Sequence, residues 1–112
     1  MDYTDEHITK IRHLNDALRR TGHGGSVFIT RGISDLRADE QSAIRDAVAS
    51  FDNFTDDNDP WAEHDCATMT IGEREVMFKI DCYDTELEYA SPAPWDPHQT
   101  HRVLTILLPE EY

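Results

Sequence analysis

The chain has 112 residues, of which 38% are hydrophobic, so it is long enough to form one domain, residues 1–112, with a buried core. Its 23 Asp and Glu residues outnumber its 10 Lys and Arg residues, and the formal charge is −13. Such a chain repels phosphate backbones and anionic lipids, which argues against direct binding to nucleic acid or to a membrane surface. The segment 1–9 is acidic and polar, unlike a signal peptide, and no run of about 18 apolar residues occurs. We therefore expect a cytoplasmic protein, a monomer or a homodimer.

The first third of the chain predicts a helix, a strand and a second helix. Thr4 is a suitable N-cap for a helix over 5–21, and Arg19 lies mostly off the apolar stripe of that helix. A short apolar, β-branched run predicts a strand over 26–30, and Ser34 can cap a second helix that ends near Phe51. The stripe of the first helix consists of Ile8, Ile11, Leu14 and Leu18.

The rest of the chain predicts a loop over 52–65 and then strands. Apolar and polar residues alternate over 67–71 and again over 76–82, which is typical of an antiparallel hairpin. Leu87 and Tyr89 suggest a short further strand, and 103–108 is apolar on both faces, as in a central strand. The sequence thus predicts an α+β fold: two helices packed on one face of a mostly antiparallel sheet of four to five strands, in the order α-β-α-β-β-β-β.

The two cysteines are predicted to be free thiols. In the predicted hairpin Cys82 points toward the core and Cys66 away from it, and side chains on opposite faces of a sheet cannot form a disulfide bond without large distortion. An exposed Cys66 could still link two copies of the chain under oxidising conditions.

Negative charge is concentrated in the second part of the chain, where 32–112 carries nineteen acidic and five basic residues. Carboxylates spaced along a rigid frame can imitate a row of phosphates and occupy a basic groove, although a solvated surface that maintains solubility explains the same composition. The predicted partner-binding residues lie in the loop 52–65 and between 81 and 88. They are Asp52, Asp56, Asp57, Asp59, Trp61, Glu63, Asp65, Asp81, Asp84, Glu86 and Glu88.

A metal or ligand site is the alternative hypothesis for the block Glu63-His64-Asp65. Carboxylates and an imidazole are suitable ligands for divalent cations, but the spacing fits neither an EF-hand nor a His-Glu-x-x-His motif. A Cys66–His64 dyad is conceivable, yet Cys66 has no basic neighbour or helix N-terminus to stabilise a thiolate. We therefore expect no enzymatic activity, no catalytic residue and no cofactor.

Several short motifs resemble those of the family called domain of unknown function 3768. The most specific are Asn58-Asp59-Pro60 and Glu63-His64-Asp65. The others are Ile11-Arg12-His13-Leu14-Asn15-Asp16-Ala17, Thr30-Arg31-Gly32, Phe51-Asp52-Asn53-Phe54-Thr55, Lys79-Ile80-Asp81 and Arg102-Val103-Leu104-Thr105-Ile106.

This resemblance implies a short alphaproteobacterial protein of the kind often carried on plasmids and other mobile elements. It assigns no catalytic residues. Mobile elements carry small acidic proteins that block host defence, so by analogy we expect a DNA mimic of the anti-CRISPR or anti-restriction type, whose partner presents a basic protein surface. A regulatory partner of another small protein, as in toxin–antitoxin pairs, is a third possibility.

Overall fold

The computed structural model describes residues 4–112. It contains helices α1 (Asp5–Thr21), α2 (Arg31–Ser34) and α3 (Ala38–Ser50), strands β1 (Gly25–Ile29), β2 (Cys66–Ile71), β3 (Arg74–Tyr83) and β4 (His101–Leu107), and a final 3-10 turn, Pro109–Glu111. The predicted α+β class is confirmed.

The four strands form one mixed sheet in the order β1-β4-β3-β2. The pairs β2–β3 and β3–β4 are antiparallel, whereas β1 and β4 are parallel. The mostly antiparallel sheet is therefore confirmed, and β4 is a central strand as its apolar sequence predicted. Gly25, the first residue of β1, packs closely against β4. A Cβ atom at this position would come within 2.4 Å of the carbonyl oxygen of Arg102, so the parallel pairing requires glycine here.

Helix α1 has the predicted bounds and end signals. The hydroxyl of Thr4 accepts a hydrogen bond of 3.1 Å from the backbone N–H of His7, and Gly22 ends the helix with a φ of 77°. Ile11 and Leu18 are buried, and Leu18 joins a core formed with α3 and the inner face of the sheet. The central residues of this core include Val48, Phe78 and Ile106.

The predicted second helix over 34–51 is in fact two helices. Ser34 is the last residue of the one-turn helix α2, not an N-cap, and α3 begins only at Ala38 after Arg37, whose side chain makes no capping bond. The side chain of Gln41 donates to the carbonyl oxygens of Ser34 and Leu36, at 3.1 and 2.8 Å. These bonds stabilise the break between α2 and α3, because they satisfy carbonyl groups that a continuous helix would use internally.

The prediction of a strand at Leu87 and Tyr89 is wrong. Leu87 has a φ of 59°, and its N–H donates to the carbonyl oxygen of Asp84, so this segment is a turn. The chain folds back only far enough for an isolated bridge between Tyr83 and Ala90. The structure consequently has four strands, in the chain order α-β-α-α-β-β-β.

The hairpin β2–β3 places the two cysteines on opposite faces of the sheet, as predicted, but Cys66 is half-buried and not exposed. Ala67 pairs with Phe78, and Cys66 pairs with Lys79, so Cys66 and the core residues lie on opposite faces of the sheet. Both cysteines are free thiols and both are half-buried. None of the helices within 4–112 is long and apolar enough to span a membrane.

Candidate functional site: the acidic loop and its contacts with the first helix

The loop 52–65 is fixed to α1 by side chains of that helix. A guanidinium nitrogen of Arg12 donates to the carbonyl oxygen of Ala62 at 3.0 Å, and the side-chain amide of Asn15 donates to that of Glu63, also at 3.0 Å. Ala62 and His64 both have positive φ values, 57° and 56°, which turn the chain sharply at these contacts. The second half of the loop is therefore held in one conformation against the helix.

The tip of the loop is stabilised by its own polar groups. The backbone N–H of Thr55 donates to the side-chain oxygen of Asn58 at 2.7 Å, and the N–H of Asp59 donates to the carbonyl oxygen of Thr55 at 2.8 Å. The amide of Asn58 also donates to the carbonyl oxygen of Asn53 at 2.9 Å. The Asn58 side chain thus bonds the backbone of residues that precede it, and these local bonds give the tip a defined shape.

His64 is the centre of the contact between the loop and α1. Its Nδ1 atom lies 2.9 Å from Oδ1 of Asp16, and its ring stacks on Phe54 with the ring centroids 3.8 Å apart. Its Nε2 atom lies 3.7 Å from a carboxylate oxygen of Asp59, and its backbone N–H donates to that same carboxylate at 3.2 Å. Both nitrogen atoms of the ring thus face carboxylates.

The Asp16 carboxylate is shared between His64 and Arg19. Its Oδ1 atom accepts a bond of 2.9 Å from the guanidinium of Arg19. Burial by itself would raise the pKa of Asp16, but the hydrogen bonds from His64 and Arg19 outweigh it and lower the pKa below its ordinary value. Asp16 is therefore held as a carboxylate that joins the loop to the helix.

Arg19 is a buried structural residue that the sequence pattern placed off the apolar stripe. It is only 4% exposed, and one guanidinium nitrogen donates to the carbonyl oxygens of Val48, Ala49 and Phe51 at 2.8, 3.2 and 2.7 Å. These carbonyls belong to the end of α3, which has no basic residue in its last turn and no glycine after it. The absence of a local C-cap is the one sequence signal that points to an external donor.

A second buried arginine was also missed as a structural residue. Arg102 is 2% exposed; its Nε donates to Oδ1 of Asn15 at 2.9 Å, and its guanidinium also donates to the carbonyl oxygen of Pro94. Asn15 therefore bridges Arg102 and the loop carbonyl of Glu63. Burial lowers the pKa of Arg102, and the negative charge of Glu63 acts in the opposite direction.

The structure divides the eleven predicted partner-binding residues into two groups. The outward group is exposed, except for the half-buried Asp84, and none of its carboxylates forms an ion pair with the residues that the structure describes. Trp61, the aromatic residue of this group, is 75% exposed. The outward group consists of Asp52, Asp56, Asp57, Trp61, Asp84, Glu86 and Glu88.

Two separate segments carry the outward group. Within 4–112 no hydrogen bond or ion pair joins the turn 84–88 to the loop 52–65. In the turn, the carboxylate of Asp84 accepts a hydrogen bond of 3.0 Å from the backbone N–H of Glu88. Glu86 and Glu88 are both exposed.

The inward group contains four carboxylates that interact with one another. Asp59 is buried, and Glu63, Asp65 and Asp81 are half-buried. Burial raises the pKa of Glu63, and the charges of Asp65 and Asp59 raise it further. The pKa of Asp65 is also raised, first by burial and then by Asp59 and Asp81, against the hydrogen bond of its own backbone N–H.

Asp81 forms an ion pair with a lysine of the same strand. Its Oδ2 lies 2.7 Å from Nζ of Lys79. Asp59 is buried, and Glu63 and Asp65 are half-buried, so these three are less accessible to a partner than the outward group, whereas the Asp81 side chain is 38% exposed.

The described side chains are arranged neither as a metal site nor as a Cys66–His64 dyad. Within residues 4–112 no group of three or more His, Cys, Asp or Glu side chains is arranged to hold a metal ion. The ring nitrogens of His64 face Asp16 and Asp59 rather than a thiol. Burial raises the pKa of the Cys66 thiol, and Asp65 and Asp59 add to that effect, so a reactive thiolate is disfavoured there.

The fold and the site define a small acidic α+β domain with a charged loop fixed to its first helix. A family model, described as a protein of unknown function (DUF3768), matches residues 29–111, and the chain belongs to this family. The matched region contains the motifs Asn58-Asp59-Pro60 and Glu63-His64-Asp65, whereas Asn15 and Asp16, which contact Glu63 and His64, precede it. Comparison with curated proteins and with solved structures finds no match.

Proposed function

We propose that the protein is an acidic interaction protein without catalytic activity, which binds the basic nucleic-acid-binding groove of a partner as a DNA mimic. The partner class is a defence or DNA-processing complex, such as a CRISPR effector or a restriction complex. The observation that carries this proposal is a set of three exposed, unpaired carboxylates, Asp52, Asp56 and Asp57, on a loop fixed by hydrogen bonds.

A fixed loop favours recognition over simple solubility. Charges on a mobile segment must be ordered when a partner binds, whereas the loop 52–65 is ordered already by Asn58 at its tip and by Arg12 and Asn15 on α1. Trp61, an exposed residue of the same loop, supplies an aromatic anchor of the kind that interfaces commonly contain at their centres. The turn 84–88, which is closed by hydrogen bonds to Asp84, adds two exposed carboxylates, Glu86 and Glu88.

Competition with DNA tests the proposal. A purified CRISPR effector or restriction complex is loaded with labelled duplex DNA, and the chain is titrated against it. We expect displacement of the DNA, with an affinity that falls as salt rises from about 50 to about 200 mM, because the contact is between charges. An affinity that does not respond to salt, or no displacement from any complex of this class, would refute DNA mimicry.

A charge-matched pair of variants separates the loop from the overall charge. In the first, Asp52, Asp56 and Asp57 are changed to Asn; in the second, three other exposed acids are changed to Gln. The acids of the control are Glu73, Glu75 and Glu110. Both variants lose three negative charges. If the loop makes the contact, we expect binding to be at least tenfold weaker, about 1.4 kcal/mol, for the loop variant and nearly unchanged for the control variant. Equal effects of the two variants would mean that the loop has no special role.

A further inference from the structure

Strand β1 has an unprotected outer edge. It is the first strand in the order β1-β4-β3-β2, so within 4–112 it pairs with β4 on one side only. Phe28 is 57% exposed and Val27 is 39% exposed, on opposite faces of the strand. Sheet edges are commonly protected by charged residues, proline or a bulge, and the strand sequence GSVFI contains no charged residue and no proline.

The outward backbone groups of β1 follow from its pairing. The N–H of Thr30, just beyond the strand, donates to the carbonyl oxygen of Ile106 at 3.1 Å. Because alternate residues of a strand bond to the same neighbour, Ser26 and Phe28 also direct their N–H and C=O groups toward β4. The outer edge is therefore formed by the N–H and C=O groups of Gly25, Val27 and Ile29.

The charge around β1 differs from that of the rest of the chain. The segment 17–34 contains three arginines and no Asp or Glu, although the whole chain carries 23 acidic residues. The Glu111 carboxylate lies just beyond the end of β1, where it accepts hydrogen bonds from the hydroxyl of Thr30 and the backbone N–H of Gly32, but the strand itself carries no carboxylate. Two copies of a chain with charge −13 repel one another, and they repel least where few carboxylates approach. A basic partner, by contrast, would meet Arg31 next to this edge, whose side chain is 91% exposed.

We propose that β1 is a homodimer interface, in which the strand pairs antiparallel with β1 of a second copy about a twofold axis at Val27. Gly25 then faces Ile29 of the second copy, and about six backbone hydrogen bonds form across the interface. Both copies offer the same three outward residues in a self-complementary register. The two four-stranded sheets become one continuous sheet, and the outer edge of β1 in each copy is removed from solvent.

Sedimentation velocity under reducing conditions tests this proposal, since a reductant excludes cross-links through Cys66. From about 1 µM to about 1 mM chain, the mass should rise toward twice 12.9 kDa. Rising salt should leave the association unchanged or strengthen it, because it screens the repulsion between the two acidic chains. A chain that stays monomeric over the whole range overturns the proposal. The proposal would also be wrong if the edge of β1 bound an acidic strand of another protein while the chain itself stayed monomeric.

The variant Val27→Pro removes an outward N–H and no bond to β4, and proline is tolerated at such edge positions. We expect it to remain folded and monomeric; a dimer that survives the substitution overturns the proposal. Hydrogen exchange of the unmodified chain decides the matter even if this variant does not fold. The amides of Val27 and Ile29 should become protected as concentration rises, whereas that of Phe28 is protected throughout. Fast exchange of Val27 and Ile29 in a dimeric sample would place the interface elsewhere.

Discussion

The buried guanidinium of Arg19 provides the sharpest test of how this fold is held together. It connects α1 to the end of α3 through the carbonyl oxygens of Val48, Ala49 and Phe51, and its ion pair with Asp16 extends the connection to the loop. The substitution Arg19→Met keeps most of the side-chain volume but removes every donor. The carbonyl groups at the end of α3 and the carboxylate of Asp16 then lose a partner.

The expected loss of stability follows from these contacts. An orphaned buried acceptor costs about 1–3 kcal/mol, and breaking a buried ion pair costs about 3–5 kcal/mol. Asp16 is half-buried and keeps His64, and water reaches some of the freed carbonyls, so we expect about 3 kcal/mol in total. That is a large part of the roughly 5–15 kcal/mol that stabilises a domain of this kind.

Urea denaturation followed by circular dichroism measures this loss. With a slope of about 1.5 kcal/mol per M, Arg19→Met should lower the midpoint by about 2 M. The adjacent Arg20 is exposed, so Arg20→Met is the matched control and should change the free energy of unfolding by less than about 0.5 kcal/mol. A loss below about 1 kcal/mol for Arg19→Met, or equal losses for the two variants, would refute the structural role of Arg19.

Three further predictions use the same assay. Asn15→Ala removes the acceptor of the buried Arg102 and should cost about 2–3 kcal/mol; a loss below about 0.5 kcal/mol would show that Arg102 does not need this acceptor. Gly25→Ala should destabilise the fold because its Cβ would meet the carbonyl oxygen of Arg102, and an unchanged midpoint would contradict that close contact. Asp65→Asn should stabilise the protein at pH 7, because the raised pKa of Asp65 means that its ionised form opposes folding. This gain should disappear as the pH falls below the ordinary value of 3.8, and a gain independent of pH would exclude a charge effect.

The parts of the fold that the sequence predicts well depend on neighbours in the chain. Helix α1 was correct at both ends because Thr4 and Gly22 are local signals, and the hairpin β2–β3 was correct because alternation is local too. The parallel pairing of β1 with β4 joins Gly25 to Arg102, and no local pattern specifies it. The break between α2 and α3 was missed because apolar spacing continues across it.

The site was predicted only in part, for a related physical reason. Composition located the acidic loop but could not tell which carboxylates turn inward, since that depends on the positive φ values of Ala62 and His64 and on contacts with α1. Arg19 was placed off the apolar stripe because a single helix pattern treats every arginine as a surface residue. The burial of Arg19 can be predicted only when the end of α3 is known to lie nearby without a local C-cap.

The inward and outward carboxylates of the loop have different consequences for binding and for stability. The Asp59 carboxylate accepts the backbone N–H of His64 and so helps to shape the loop, whereas Asp56 and Asp57 are exposed and form no ion pair with the residues that the structure describes. Neutralising the outward residues should therefore weaken partner binding and leave the urea midpoint almost unchanged. Neutralising Asp65 should raise the midpoint and affect binding little. If the opposite assignment were observed, the inward carboxylates would be the recognition surface, and the contact of the loop with α1 would have to open when the partner binds.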